Sequence, residues 1–311
     1  MNNHASKDVS GFPRLGDRLF ATLLYLLPHH LLSQLMYWVT RNEWPLLKNW
    51  MIRTFIRIYG VEMQEATSPF PEDYASFNQF FTRSLQPDAR QVVESEDAIA
   101  CPVDGAVSQT GTVNLGRIFQ AKGQYYNLVE LLGGGTDWMD IFDGGSFATL
   151  YLSPRDYHRI HMPLDGRLIK MVHIPGRLFS VSPSTTRAVP RLFSRNERIV
   201  CLFETQAGPM AVIMVGAVFV ASMETVWAGT VTPQSRRVTQ WHYSSESMAP
   251  VSLEKGDELG RFNMGSTVIL LFGKDAVALE ETLQPSTQVR MGEQLGVVGN
   301  AEPENVQAGD E

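Results

Sequence analysis

A serine, two histidines and an aspartate in this sequence have the side-chain types that activate a nucleophile. Ser266 lies in Arg261-Phe262-Asn263-Met264-Gly265-Ser266-Thr267-Val268-Ile269-Leu270-Leu271-Phe272, where the β-branched, apolar run predicts a strand and Gly265 a tight bend before it. The missing Cβ of Gly265 leaves the adjoining carbonyl open to attack, so Ser266 is a candidate nucleophile. Gly-Ser-Thr before a strand is more often only a turn, and its company decides. His158 and His161 fall in Tyr151-Leu152-Ser153-Pro154-Arg155-Asp156-Tyr157-His158-Arg159-Ile160-His161-Met162-Pro163. That stretch predicts a strand end, Ser153 as N-cap, Pro154 at the first helical position and Asp156 reaching back to the cap. One further helical turn puts both histidines on one face, which suits metal binding or acid-base work. No His-Glu-x-x-His pattern and no third nearby ligand accompany them, so no metal is expected. Adding Asp104 gives a carboxylate to orient an imidazole and an imidazole to take a hydroxyl proton. A serine hydrolase is one function open to this set, although the Gly-x-Ser-x-Gly elbow is absent. A β-sandwich module without catalysis is another.

The elements that must position these residues differ along the chain. With 311 residues and 44% hydrophobic composition, the protein can bury a substantial core. Residues 1–60 hold seven Lys/Arg against three Asp/Glu, a net +4, which leaves −11 for the remainder of a chain of net charge −7. From Leu15 to Tyr59 the apolar periodicity predicts three helices, punctuated by Pro28 and Pro45. The apolar run Leu19–Leu27 is too short to span a bilayer, so neither a transmembrane helix nor a cleaved signal is expected. In the third helix, Asn49, Arg53 and Arg57 form a polar stripe opposite Leu47, Met51, Phe55 and Ile58. Trp38, Trp44 and Trp50 lie in the same region. Basic amphipathic helices with tryptophan suit an anionic membrane surface, and equally a helical subdomain packed on the core.

After a linker-like break at Thr67–Pro71, the aromatic run Phe77–Leu85 predicts a short docking helix. Beyond Ile99 short β-rich segments separated by Gly and Pro predict a sandwich or barrel. Two echoes suggest a duplicated β unit: Pro102-Val103-Asp104-Gly105-Ala106-Val107 with Pro163-Leu164-Asp165-Gly166-Arg167-Leu168, and Gly256-Asp257-Glu258-Leu259-Gly260 with Gly292-Glu293-Gln294-Leu295-Gly296. Both read as hairpin-turn chemistry. Met210–Ala221 predicts a buried strand. Cys101 and Cys201, far apart in apolar surroundings, predict buried free thiols. The fold class is α+β, with N-terminal amphipathic helices (1–66), a β-rich catalytic domain (67–300) and a disordered acidic tail (301–311).

Taken in order, Phe77–Leu85, Cys101–Val107, Gln120-Ala121-Lys122-Gly123, Tyr151–Pro163, Glu224-Thr225-Val226-Trp227-Ala228-Gly229-Thr230 and Gly260–Leu271 resemble the bacterial phosphatidylserine decarboxylases over nearly the whole chain. Two departures are small: the usual Leu-Gly-Ser-Thr is Met264-Gly265-Ser266-Thr267, and a proline often found after the arginine at Arg90 is Gln91. The resemblance implies a proenzyme in which Ser266, activated by His161 and Asp104, attacks the Gly265 carbonyl to give an ester. β-Elimination and hydrolysis then leave a covalent pyruvoyl cofactor in place of Ser266, with loss of ammonia. It further implies a large chain of residues 1–265, a small chain of residues 266–311, and His158 as the acid that protonates the substrate carbanion. The expected substrate is phosphatidylserine, converted to phosphatidylethanolamine. Expected partners are an anionic membrane surface, at the cytoplasmic face of the bacterial inner membrane, and a second copy in a homodimer; no nucleic acid is expected.

Overall fold

The computed structural model describes residues 12–134, 137–218, 222–232, 237–243 and 249–299; the tail expected to be disordered lies outside them. Three helices open the chain, Leu15–Leu26, His29–Thr40 and Pro45–Tyr59, at the proline-punctuated places the periodicity predicts. Among the described residues no single helix is long and apolar enough to cross a membrane; the first two reach that length and apolarity only together, as a pair bent by 81°. The third helix docks through the middle of the apolar face the sequence suggested, with Met51 and Phe55 packed on the core beside it and Arg53 and Arg57 exposed, but not through the end of that face at Ile58. Lys48 and Ile52 are its buried residues, Phe55 packs on Phe77, Phe80 and Phe81, and Ile58 is exposed. The aromatic run forms the short helix Phe77–Phe81, capped by the Ser76 side chain, and its phenylalanines make a second core with Ile52, Val61 and Tyr74.

The main body is a nine-stranded antiparallel sheet. In spatial order it runs Thr239–His242, Gly166–Ile174, Arg198–Thr205, Gly208–Val215, Ser266–Lys274, Gly145–Leu152, Gly105–Thr112 and Gln288–Val289, with Ser252–Leu253 also pairing with Gly166–Ile174. Ser266–Lys274 sits centrally, and all of it before Lys274 is buried. A strand covered on both faces has no polar side to alternate with, which is why its sequence is a continuous apolar run. Met210–Val215 is buried for the same reason, but the strand ends at Val215, short of the expected Ala221: residues 216–218 leave it, and 219–221 lie outside the described set. Both cysteines are buried free thiols.

The duplication is present in the backbone. Ala98–Ala100 pairs with Gln294–Val298, and Arg159–His161 pairs with Glu258–Phe262, in the same register and with the bulge at the same step. The units also bond reciprocally: Ala100 N–H donates to Pro163 O (3.0 Å), and His161 N–H to Pro102 O (2.9 Å). Gly292 N–H donates to Cys101 O and Gly256 N–H to Met162 O, both at 2.9 Å. Asp104 accepts from Met291 N–H (2.9 Å) where Asp165 accepts from Lys255 N–H (2.7 Å). The Asp-Gly pairs are therefore not hairpin tips. Each glycine starts a strand, and a Cβ on Gly105 would lie 2.3 Å from Tyr151 O, so glycine is required there by close backbone approach.

Candidate active site

The pairing of Ser266 with Leu152 places the start of one central strand beside the end of its neighbour, from which the histidine segment departs. That segment makes no helical turn. Asp156 Oδ2 accepts from Ser153 N–H (2.7 Å) as the sequence suggested, but the chain then extends into the short strand Arg159–His161. Sharing one face by helical spacing therefore does not occur, because three residues along extended chain reverse the side-chain direction. The two rings have separate surroundings.

His158 is fully buried, with its ring centroid 4.1 Å from that of Phe81. Its Nδ1 donates to Asp156 O (2.8 Å), since a carbonyl can only accept, and this leaves the lone pair on Nε2. That nitrogen has no hydrogen-bond partner among the described residues. Burial pushes its pKa down to about 3, the Asp156 carbonyl opposing and the Arg83 charge assisting. The ring is therefore neutral, with a free lone pair. Its own carbonyl accepts from Phe262 N–H (3.1 Å), tying the histidine segment to the chain leading into Ser266.

His161 donates from Nδ1 to Gly256 O (2.7 Å), and its Nε2 accepts from the Tyr157 hydroxyl (3.0 Å). Burial lowers its pKa, the Gly256 carbonyl opposing. Asp104 is held by Arg90, whose Nε donates to Oδ1 (2.9 Å) and whose Nη2 bonds to Oδ2, while Arg90 also pairs with Glu65 (2.8 Å). The partners of His161 and Asp104 leave no direct hydrogen bond between them. Tyr157 and Asp104 instead line one polar cavity of about 320 Å³, together with Arg83 and Asp156.

Ser266 is fully buried, and its Oγ has no hydrogen-bond partner among the described residues. It lines a cavity of about 240 Å³ with Gly265, Met264, Phe81, Tyr59 and Ser180. A Cβ built on Gly265 meets nothing within 4 Å, so glycine is not required there for packing. The residue before it, Met264, has φ of 150°, a conformation that side chains rarely adopt. Asn263 is pinned further upstream: its Nδ2 donates to Ser222 Oγ (2.6 Å) and Glu224 Oε1 (2.7 Å), and its Oδ1 accepts from Asn78 (3.0 Å). Sequence reasoning missed Tyr157, Arg90 and Asn263 as parts of this site. Tyr157 stood inside the histidine stretch, but nothing in its spacing distinguishes a ring partner from a core aromatic.

Ser266 and His158 thus each bury an unpartnered polar atom, and Phe81 both touches the histidine ring and lines the serine's cavity; relatives of the chain bear on what these groups do. A family model described as Phosphatidylserine decarboxylase matches residues 77–297, and one described as PSD matches residues 19–60. The chain is 54% identical over 281 residues to a "Phosphatidylserine decarboxylase proenzyme" of Bordetella pertussis, covering 90% of this chain and 95% of the relative. Proteins of the same name from Azotobacter vinelandii (53% over 280 residues, 90% and 98%) and Pseudomonas aeruginosa (53% over 281 residues, 90% and 97%) match to a similar degree. The serine hydrolase alternative is thereby set aside, and the unjoined Asp104 and His161 agree with setting it aside. At this identity, and over this share of both chains, the protein belongs to the phosphatidylserine decarboxylase family.

Proposed function

We propose that the chain is a self-cleaving proenzyme that decarboxylates phosphatidylserine to phosphatidylethanolamine, with Ser266 as the origin of its pyruvoyl group. The observation that carries this is the pair of buried, unpartnered polar atoms, Ser266 Oγ and His158 Nε2, with Phe81 touching the histidine and lining the serine's cavity. Such atoms cost free energy in a fold that does not use them. The residues fit the group: Ser266 begins a strand whose ladder holds it against Leu152, and the position before it faces open space. When formed, a pyruvoyl group supplies a ketone that condenses with the lipid's serine amine and takes up the electron pair left by carbon dioxide.

The chain's own residues supply the protons. His158 Nε2 takes the Ser266 hydroxyl proton as Oγ closes on the Gly265 carbonyl carbon. The same nitrogen is suited to return a proton to the substrate carbon once carbon dioxide has left. This moves the opening proton transfer from His161, which the family resemblance implies, to His158, because the His161 lone pair is already engaged by Tyr157. Asp104 lines the polar cavity beside Tyr157, which holds the His161 ring by its hydroxyl. Intact-mass analysis tests the whole reading: the expected result is residues 1–265 and 266–311, the latter without a free N-terminal amine. Only uncut protein after prolonged incubation would overturn it. His158→Ala is expected to slow cleavage by about 10²- to 10⁴-fold, the usual contribution of a positioned acid-base group, and more than His161→Ala does. The reverse order returns the role to His161.

The membrane surface is the proposed place of action, on the cytoplasmic face of the inner membrane. The helix His29–Thr40 is inside out for a water-soluble protein. It buries His29, Ser33 and Thr40 and exposes Leu31, Leu35 and Trp38. Leu15, Leu19, Leu23 and Leu26 of the first helix, and Trp44, Leu46 and Trp50 around the third, are exposed as well. Apolar patches of this extent with interfacial tryptophan and basic neighbours fit lipid. Residues 1–66 thus serve as a lipid-facing unit ahead of a catalytic domain at 67–300. Flotation with anionic liposomes is expected to carry the full chain and leave behind one lacking residues 1–60; undiminished binding of the truncated chain would count against the assignment.

A further inference from the structure

We propose that backbone strain at Met264, held by its anchored flanks, drives the attack of Ser266 on Gly265; the inference rests on the cleavage reading above. Met264 has φ of 150°, a region that a Cβ disfavours and in which non-glycine residues persist only where their surroundings force them. Anchors on both sides supply that force. Upstream, Asn263 is tied through its amide N–H to Ser222 O (3.0 Å) and through its side chain to Ser222, Glu224 and Asn78. Downstream, Ser266 and Thr267 are locked into the central ladder opposite Leu152 and Tyr151. The Met264 side chain packs against both hydrophobic cores and so cannot swing away. Met264 and Gly265 must bridge two fixed points, and the misfit is taken up at Met264.

The chemistry releases that misfit. Ser266 Oγ gives its proton to the base and bonds to the Gly265 carbonyl carbon; the carbon–nitrogen bond then breaks, and the Ser266 nitrogen takes up a proton as a free amine. No atom is lost at this step. The link from the Gly265 carbonyl to the Ser266 Cα formerly ran through nitrogen alone and now runs through Oγ and Cβ. It is one atom longer, and the planar amide is gone, so the bridge between the anchors gains slack and Met264 can leave its disfavoured conformation. Strain present in the amide and relieved in the ester lowers the barrier between them.

Met264 acts as a positioning residue, and the Ala/Gly pair isolates its Cβ, because both variants lose the same packing side chain while only glycine loses the strain. Self-cleavage of Met264→Gly is expected to be about 10-fold slower than that of Met264→Ala, equivalent to about 1.4 kcal/mol at 1.36 kcal/mol per tenfold. In an uncleavable Ser266→Ala background the order of stability is expected to run the other way. Met264→Gly should unfold at the same or higher urea concentration than Met264→Ala, against the entropic penalty that glycine ordinarily carries. A merely structural role would lower rate and stability together. Equal cleavage rates for the two variants, or a glycine variant less stable than the alanine one, overturns the proposal. Failure of the unmodified chain to cleave at all overturns the reading it rests on instead.

Discussion

The two copies of the duplicated β unit share a backbone and differ in what they place on it. Asp104 and Asp165 occupy equivalent positions and accept equivalent backbone N–H groups, from Met291 and Lys255. Asp165 is exposed and ends there, whereas Asp104 is buried and carries the ion pair with Arg90, itself joined to Glu65. At the next equivalent position the asymmetry reverses: Ala100 in the first copy answers to His161 in the second. The backbone acceptor role of the aspartate is therefore common to both copies, while the Arg90 ion pair and the imidazole are each carried by one copy alone.

The largest expected effect comes from breaking the added charge. Asp104→Ala leaves Arg90 buried without one of its two carboxylates and frees the Met291 N–H. Removing one partner of a buried ion pair typically costs about 3–5 kcal/mol. Asp165→Ala removes only the exposed acceptor and should cost about 1 kcal/mol. Urea unfolding of both variants in the Ser266→Ala background measures the difference. Equal losses would mean that the Arg90 pair adds nothing and that the copies are energetically alike.

Much of this asymmetry was hidden in the sequence although its frame was visible. The paired Pro-x-Asp-Gly and Gly-acid-x-Leu-Gly stretches showed the duplication, because a repeated backbone needs the same special residues at the same places. The central strand was legible because burial on both faces leaves an unbroken apolar run. The partners of each site residue were not legible. Nothing local to Asp104 points to Arg90, and the extended path of Tyr157–His161 was obscured by the Ser-Pro-x-Asp cap, which fixes a turn but not the course of the chain beyond it. The apolar face of Pro45–Tyr59 was legible at Met51 and Phe55, but that Ile52 is buried and Ile58 exposed was not, for a related reason. A helix that is apolar on two sides gives no single periodicity, and which side faces protein was decided by the aromatic cluster at Phe77–Phe81.

A second way to sharpen the comparison is pH, since the counterparts of His158 and His161 in the first copy are Asp97 and Ala100 and only the second copy carries imidazoles at these positions. His158 has a folded pKa of about 3 against an ordinary value of 6.5. Between those values the unfolded chain binds a proton that the folded one refuses. Its contribution is therefore present above pH 6.5 and is lost as pH falls toward 3, with a ceiling of about 5 kcal/mol at 1.36 kcal/mol per pH unit. His161 and His29, both lowered by burial, act in the same direction, and Asp156, raised by burial, opposes them at the acid end. Urea midpoints of uncleavable protein from about pH 7 to about pH 5 should fall, and His158→Gln should flatten that fall. An unchanged slope in the variant would show that the second copy carries no such buried imidazole.

The smallest expected effect, and the finest comparison, lies at the equivalent glycines. Gly256 and Gly292 have φ of 90° and 89°, so the same backbone strain attends an alanine at either. The surroundings of the new Cβ differ. At Gly292 it would lie 2.3 Å from the Gln91 carbonyl oxygen, which the backbone holds in place; at Gly256 it would lie 2.9 Å from Val92 Cγ2, the end of a side chain that can rotate away. Gly256→Ala should thus cost about 1–2 kcal/mol, the usual expense of a disfavoured conformation, and Gly292→Ala about 1 kcal/mol more because a main-chain segment must also move. Denaturation of the two variants in the Ser266→Ala background gives the ranking. A larger loss at Gly256 would mean that the side-chain neighbour is the less yielding one, and that the two turns are held by packing rather than by the segment Gln91–Val92 that passes between them.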